Sequence, residues 1–147
     1  MESAHSNGGK RTERPAPAVG IGTRLDHVAI QVPNLESAIE LFTTLLGMKL
    51  KRIGVRHATG GRIALLSDGQ GMKLELVEER SPHLALLHLA HRVDDVAAGY
   101  RTLLKHGCTP VKEPLWLEAA QADFATVRHE SGLEIQLVRY APDSPDL

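Results

Sequence analysis

Hydrophobic and polar positions recur with two periods along this chain, and the two periods alternate. Leu25 to Val32 follows a two-residue period and becomes β-branched toward its end, which predicts a strand stopped by Pro33-Asn34. Asn34 caps a predicted helix whose apolar residues Leu35, Ala38, Ile39, Phe42, Leu45 and Leu46 fall at helical spacing, and Gly47 stands where a left-handed C-terminal cap belongs. Met48 to Val55 and Arg62 to Ser67 read as strands, Asp68-Gly69-Gln70-Gly71 as a turn, and Met72 to Val77 as the returning hairpin partner. The first half is therefore β-α-β-β-β. The second half repeats the order: Leu86 to Val93 is a strand, Asp94 and Asp95 offer caps, and a helix runs to His106 before Gly107 ends it. Cys108 to Lys112 reads as a short strand stopped by Pro114, and Ala122 to Arg128 and Leu133 to Tyr140 as a hairpin around Glu130-Ser131-Gly132.

The two halves superpose at a fixed shift of 61 positions. Leu25, His27, Ala29 and Val32 fall on Leu86, His88, Ala90 and Val93, and far downstream Gly71, Leu76 and Val77 fall on Gly132, Leu137 and Val138. One small gap near the helix ends aligns Gly47 with Gly107. The same shift puts His27 on His88 in the opening strands and Glu75 on Gln136 in the closing strands, so four metal-capable side chains occupy two equivalent positions. Strand parity sets Leu25, His27, Ala29 and Gln31 on one face and Val28, Ile30 and Val32 on the other. A sheet that buries its apolar face on helices and curls the other into a trough brings the four polar positions toward one point.

Composition narrows the classes. At 147 residues the chain suits one domain of α+β class, built from two tandem βαβββ modules in a curled mixed sheet. The expected limits are a disordered tail over 1–22, a folded body over 23–140 made of module 1 (23–80) and module 2 (84–140), and a polar tail over 141–147. A net charge of −1 and only 3% aromatic residues argue against nucleic acid as a partner. No apolar run approaches the roughly 20 residues of a membrane span, so a soluble protein without a membrane partner is expected. The single Cys108 excludes an internal disulfide and fits a reducing, cytoplasmic setting. Eight histidines are the compositional surplus that needs a reason.

The segments LDHVAIQVPNLESAIELFTTLLGM, GMKLELVE, LLHLAHRVDDVAAGYRTLLKHG and SGLEIQLV resemble the vicinal oxygen chelate superfamily, the glyoxalase, bleomycin-resistance and extradiol-dioxygenase group, from Leu25 to Tyr140. The resemblance implies paired modules forming a cup around a divalent metal, with His27, Glu75, His88 and Gln136 as its ligands, and a homodimer. Two imidazoles, a carboxylate and an amide oxygen suit zinc, nickel, cobalt, manganese or iron(II). In glyoxalase I-like and methylmalonyl-CoA epimerase-like members the glutamate stands in the last strand; here it is in module 1, as Glu75. The implied chemistry is proton abstraction next to a carbonyl through a metal-stabilised enediolate or enolate, as an isomerase, epimerase or lyase, with Glu75 or a metal-bound water carrying the proton. His57 is the substitute for the acid or base that epimerases carry on a middle strand. Two alternatives stand beside this reading: a non-haem Fe(II) dioxygenase, since two histidines and Glu75 form a facial triad, and a metal-free protein that binds a small molecule such as an antibiotic.

Gln31 and Arg92 share the ligand face by parity and are candidate contacts for a small-molecule substrate. Arg52, Arg56 and Arg62 are further candidates, able to receive a carboxylate or phosphate at the cup mouth, although solvated strand-edge charge explains them more simply. Trp116, the only tryptophan, either closes over the substrate or packs on the core. The remaining histidines have bland roles: His91 packs on the helix-covered face, His106 complements the second helix's C-terminal dipole, His83 and His129 lie beside loops, and His5 belongs to the tail.

Overall fold

A computed structural model of the protein describes residues 20–56, 59–80 and 85–147. Most of the expected N-terminal tail, with His5, and the loop histidines His57 and His83 lie outside the described residues. The elements run β1 (Arg24–Val32), α1 (Leu35–Glu40), β2 (Lys49–Val55), β3 (Arg62–Ser67), β4 (Lys73–Glu78), β5 (Ala85–Arg92), α2 (Val96–Lys105), β6 (Thr109–Leu117), β7 (Ala122–Arg128) and β8 (Glu134–Tyr140). Among these residues no helix is long and apolar enough to cross a membrane.

All eight strands join one mixed, curled sheet in the order β2-β3-β4-β1-β5-β8-β7-β6. Within each module the first strand runs parallel to the last, β1 to β4 and β5 to β8. The modules meet where β1 and β5 pair antiparallel at the centre of the sheet. The sequence repeat is repeated as pairing: Val28↔Leu74, Ala29↔Glu75, Ile30↔Leu76 and Gln31↔Val77 in module 1 become Leu89↔Ile135, Ala90↔Gln136, His91↔Leu137 and Arg92↔Val138 in module 2.

Each helix covers the apolar parity of its own module. Leu35, Ala38, Ile39 and Phe42 pack on Val32, Ala64, Leu66 and Leu76, while Val96, Tyr100, Leu103 and Leu104 pack on Ala125, Val127 and Leu137. Asn34 and Asp95 cap the two helices, accepting from the backbone N–H of Ser37 and Ala98 at 2.9 Å each. The opposite face of the sheet is the concave one, and it carries the polar positions.

Three local outcomes differ from the pattern-based expectation. The first helix is regular only to Glu40; Leu41–Leu45 widen into a π-helical turn, with Leu46 N–H reaching the Leu41 carbonyl at 3.1 Å. Thr43 Oγ1 donates back to the Ile39 carbonyl at 2.7 Å, and that competition loosens the turn before Gly47 closes it at φ 77°. Strand β6 runs through Pro110 and Pro114 to Leu117 instead of stopping at Lys112. It is an edge strand with two irregularities in its pairing, and there a missing N–H costs little. Residues 141–147, expected as a tail beyond the folded body, fold back on the sheet with Ser144 and Asp146 buried.

Candidate metal centre

The concave face is built from the repeat upward. His27 pairs with Ala90 and His88 with Ala29 across the central antiparallel ladder, so the two imidazoles stand on neighbouring strands, related by the pseudo-twofold of the duplication. Glu75 comes up beside Ala29, two residues past His27, and Gln136 beside Ala90, two residues past His88. Both histidines are buried, at 4% and 8% exposure. His27 Nε2 lies 3.2 Å from His88 Nε2 and 3.8 Å from Glu75 Oε2, and His88 Nε2 lies 4.0 Å from Glu75 Oε1. One ligand atom from each of the three residues falls within 4.8 Å of the others. Bonds of about 2.1 Å to a single ion set its ligand atoms about 3.0 to 4.2 Å apart according to angle, so His27, Glu75 and His88 could hold a divalent cation. Gln136 occupies the register position equivalent to Glu75.

His27 is fixed by a carboxylate that strand parity assigns to the other face. Its Nδ1–H donates to Asp26 Oδ2 at 2.7 Å, which leaves the Nε2 lone pair turned toward His88 and Glu75. Asp26 reaches that side because the β1–β5 ladder advances two residues, Leu25 to His27, against one on β5, His91 to Ala90. Asp26 is the extra residue of a β-bulge, and the bulge turns it into the cup. A carboxylate alternating with Val28, Ile30 and Val32 under a helix would be a buried charge among apolar groups. That conflict was the sequence signal for the bulge.

Asp26 is 1% exposed and accepts from four groups: His27, Tyr140 Oη at 2.7 Å, Arg92 Nε at 2.6 Å and Lys73 Nζ at 3.1 Å. Burial by itself would raise its pKa, but the hydrogen bonds from His27, Tyr140 and Arg92 and the Lys73 ammonium together hold it well below the usual carboxylate range. Burial lowers the Lys73 pKa against the pull of Asp26, and burial followed by the Asp26 charge drives Tyr140 far above a free phenol. Burial also lowers His88 to about 3, with the nearby His27 and Arg56 acting in the same direction. A neutral imidazole is the form that binds metal.

The other candidates separate. Arg92 is on the ligand face as expected, but its guanidinium is taken by Asp26 and lies 5.1 Å from the Tyr140 ring. Arg56 makes a half-exposed pair with Glu79 at 3.6 Å, and its charge reaches His88. Gln31 keeps the parity of His27 and pairs with Val77 and Ala85. Trp116 is not brought to the cup. It stands opposite Asp123, which stands opposite Arg139, and Arg139 shares its side of β8 with Ile135 and Leu137, which pack beneath α2. The Trp116 indole N–H donates to Glu118 at 2.8 Å on that outer face. His91 bonds Thr23 Oγ1 at 2.9 Å, and His106 stands at the C-terminal cap of α2, where it was expected. Pattern reading missed Asp26, Lys73 and Tyr140. Among the described residues no buried side-chain nitrogen or oxygen lacks a partner.

A duplicated βαβββ sheet with mixed nitrogen and oxygen donors across its symmetry axis is the architecture of the vicinal oxygen chelate class. The chain belongs to the Glyoxalase/Bleomycin resistance protein/Dioxygenase superfamily, whose family model matches residues 24–137. It is 28% identical over 124 residues to a probable lactoylglutathione lyase of Vibrio cholerae, spanning 79% of this chain and 90% of the relative. It is 34% identical over 84 residues to the uncharacterized protein YwbC of Bacillus subtilis, spanning 52% of this chain and 66% of the relative. Its structure is similar to methylmalonyl-CoA epimerase from Mycobacterium tuberculosis, with a TM-score of 0.73 and 29% identity over 87% of this chain and 95% of the other.

Proposed function

We propose that the protein is a divalent-metal-dependent enzyme that moves a proton at a carbon next to a carbonyl, as an isomerase, epimerase or lyase of the glyoxalase type. The observation that carries this reading is the convergence of His27, Glu75 and His88 with Asp26 behind His27. Gln136 completes the ligand set as an amide oxygen. The metal supplies Lewis-acid stabilisation of the charge that develops on the substrate's carbonyl oxygen. Asp26 keeps His27 in the tautomer that offers Nε2, and the Arg92 and Lys73 cations keep Asp26 ionised. Glu75, 20% exposed at its side chain, has two oxygens, so one is able to ligate while the other takes the proton. The relatives' names, a lyase and an epimerase, support this class of reaction.

The test is incubation of candidate α-hydroxy, α-keto and acyl-thioester compounds in heavy water without oxygen. Deuterium at the α-carbon is the expected result; turnover that strictly requires iron and oxygen overturns it. That outcome would instead support the second reading, a non-haem iron oxygenase, which the two-histidine, one-carboxylate set favours. Metal analysis of the purified chain separates both from a metal-free binding protein. The substrate is a small molecule, and a reducing cytoplasmic setting fits the lone Cys108. Assembly as a homodimer is supported by exposed Ile53 and Val55 on edge strand β2 and Leu45 and Leu46 just before it in the chain. Light scattering at about twice the mass of one chain checks it.

A further inference from the structure

Segment 141–147 crosses from one module to the other. Ala141 N–H donates to the Gln121 carbonyl at 2.8 Å and Ser144 Oγ to the Ala120 carbonyl at 2.6 Å, which ties its start to the turn between β6 and β7 in module 2. Its end is held by module 1. Arg52 grips the Asp146 carboxylate at two points, Nε to Oδ1 at 2.7 Å and Nη2 to Oδ2 at 2.8 Å. Lys73 Nζ donates to the Asp146 carbonyl, and Lys51 Nζ to the Leu147 carbonyl at 2.6 Å.

Register places this contact beside the metal centre. Arg52 stands opposite Leu65 and Leu65 opposite Glu75, so the guanidinium rises from the ligand face two strands away, about 10 Å at the backbone. The Arg52 pKa is raised first by the Asp146 hydrogen bond and further by the charges of Asp146 and Glu75, so Glu75 lies within its electrostatic reach. Lys73 is shared, bonding Asp26 behind His27 and the Asp146 backbone. The pair is nearly dry, with side-chain exposures of 22% and 9%. A planar fork, sheltered and aimed into a cup, is how proteins recognise a carboxylate. Here the carboxylate belongs to the chain itself.

We propose that Arg52, backed by Lys73, is a carboxylate-binding subsite of the cup, and that Asp146 is its internal occupant, displaced when a substrate carrying a carboxylate enters. In speaking of a substrate this rests on the proton-transfer reading, and it narrows that reading to carbonyl compounds bearing a free carboxylate. The exchange conserves charge at the fork, since one carboxylate enters as another leaves for water. It also releases segment 141–147 from module 1 and opens that side of the cup.

The test is hydrogen exchange of the whole chain with malonate as probe at constant ionic strength, on the protein as purified and after metal removal on an immobilised chelating resin. Malonate is expected to speed exchange of the Asp143, Ser144, Asp146 and Leu147 amides saturably, the Asp146 amide that bonds Ser144 Oγ included. Calorimetry is expected to find malonate bound at least about tenfold more tightly by Asp146→Ala, a gain that Arg52→Ala removes. Asp146→Asn keeps the shape, loses the charge and must move in the same direction. Malonate that leaves exchange unaltered, a gain that survives Arg52→Ala, or a stronger response to inorganic phosphate than to malonate overturns the proposal. In the stripped protein no metal takes part, so failure here leaves the metal reading standing, and a protein that retains no metal leaves these results standing.

Discussion

The two modules share a backbone device and use it differently. In β1 the ladder skips a residue at Asp26; in β5 it skips one at Leu87, between His88 and Leu86, and these are equivalent positions of the repeat. Duplication therefore copied the bulge, but only module 1 placed a carboxylate on it. His27 is braced through Nδ1 by an anion held by Arg92, Lys73 and Tyr140, whereas the described surroundings of His88 act on it mainly through burial. The closing strands differ in the same sense, with Glu75 in module 1 and Gln136 in module 2. Negative charge has collected in one copy and neutral side chains in the other. A pseudo-symmetric scaffold thus gives an asymmetric site.

The asymmetry can be broken in graded ways. His27→Ala and His88→Ala each remove a buried donor and should bring bound metal below detection by elemental analysis, with loss of α-proton exchange. Asp26→Asn is expected to lower metal affinity about 10- to 100-fold, while Leu87→Ala at the equivalent bulge leaves it within about twofold; competitive chelation measures both. Moving the carboxylate between modules separates ligation from proton transfer. Gln136→Glu keeps metal binding, and Glu75→Gln combined with it retains the metal but loses deuterium incorporation; an exchange-competent double variant would remove Glu75 as base.

Acid sensitivity follows from His88. Its folded pKa of about 3 lies below the ordinary value near 6.5, so the unfolded chain takes up a proton that the folded chain refuses. Stability of the chelated protein is full above about pH 6.5 and falls toward pH 3, by at most about 1.4 kcal/mol per pH unit. Asp26, also depressed, begins to lose its contribution only below about pH 4, so melting between pH 7 and 5 isolates the histidine. His88→Asn should flatten that slope. The smallest effect is expected from Trp116→Phe, which lies on the outer face and should leave metal affinity and turnover unaltered.

Much of the site could be read from residue order. The histidines and Glu75 were identified by one shift that served both ends of the module, and all three meet in the cup. Alternation identified the helix-facing sets of both modules, because each helix buries the apolar parity of its own strands. What parity could not find was Asp26, since a bulge breaks the alternation on which parity rests. Nor could it orient Trp116, because the proline-containing edge strand continued past the expected stop at Lys112 and carried the ring to the outer face. Segment 141–147 was illegible for a different reason. Its polar, proline-broken composition is that of a tail, and its partners Lys51, Arg52 and Lys73 are remote in the chain.

The sequence by itself determined the duplication, the element order and the kinds of donor atom, because these depend on local periodicity and on a repeat visible within one chain. Only the tertiary structure decided which neighbours of those donors share their face and which charges surround them. Cross-strand pairing decides where a ladder gains a residue, and each gain moves one side chain from the covered face to the open one. The single added residue at Asp26 is how a position that reads as apolar-facing became the support of His27 in the candidate metal centre.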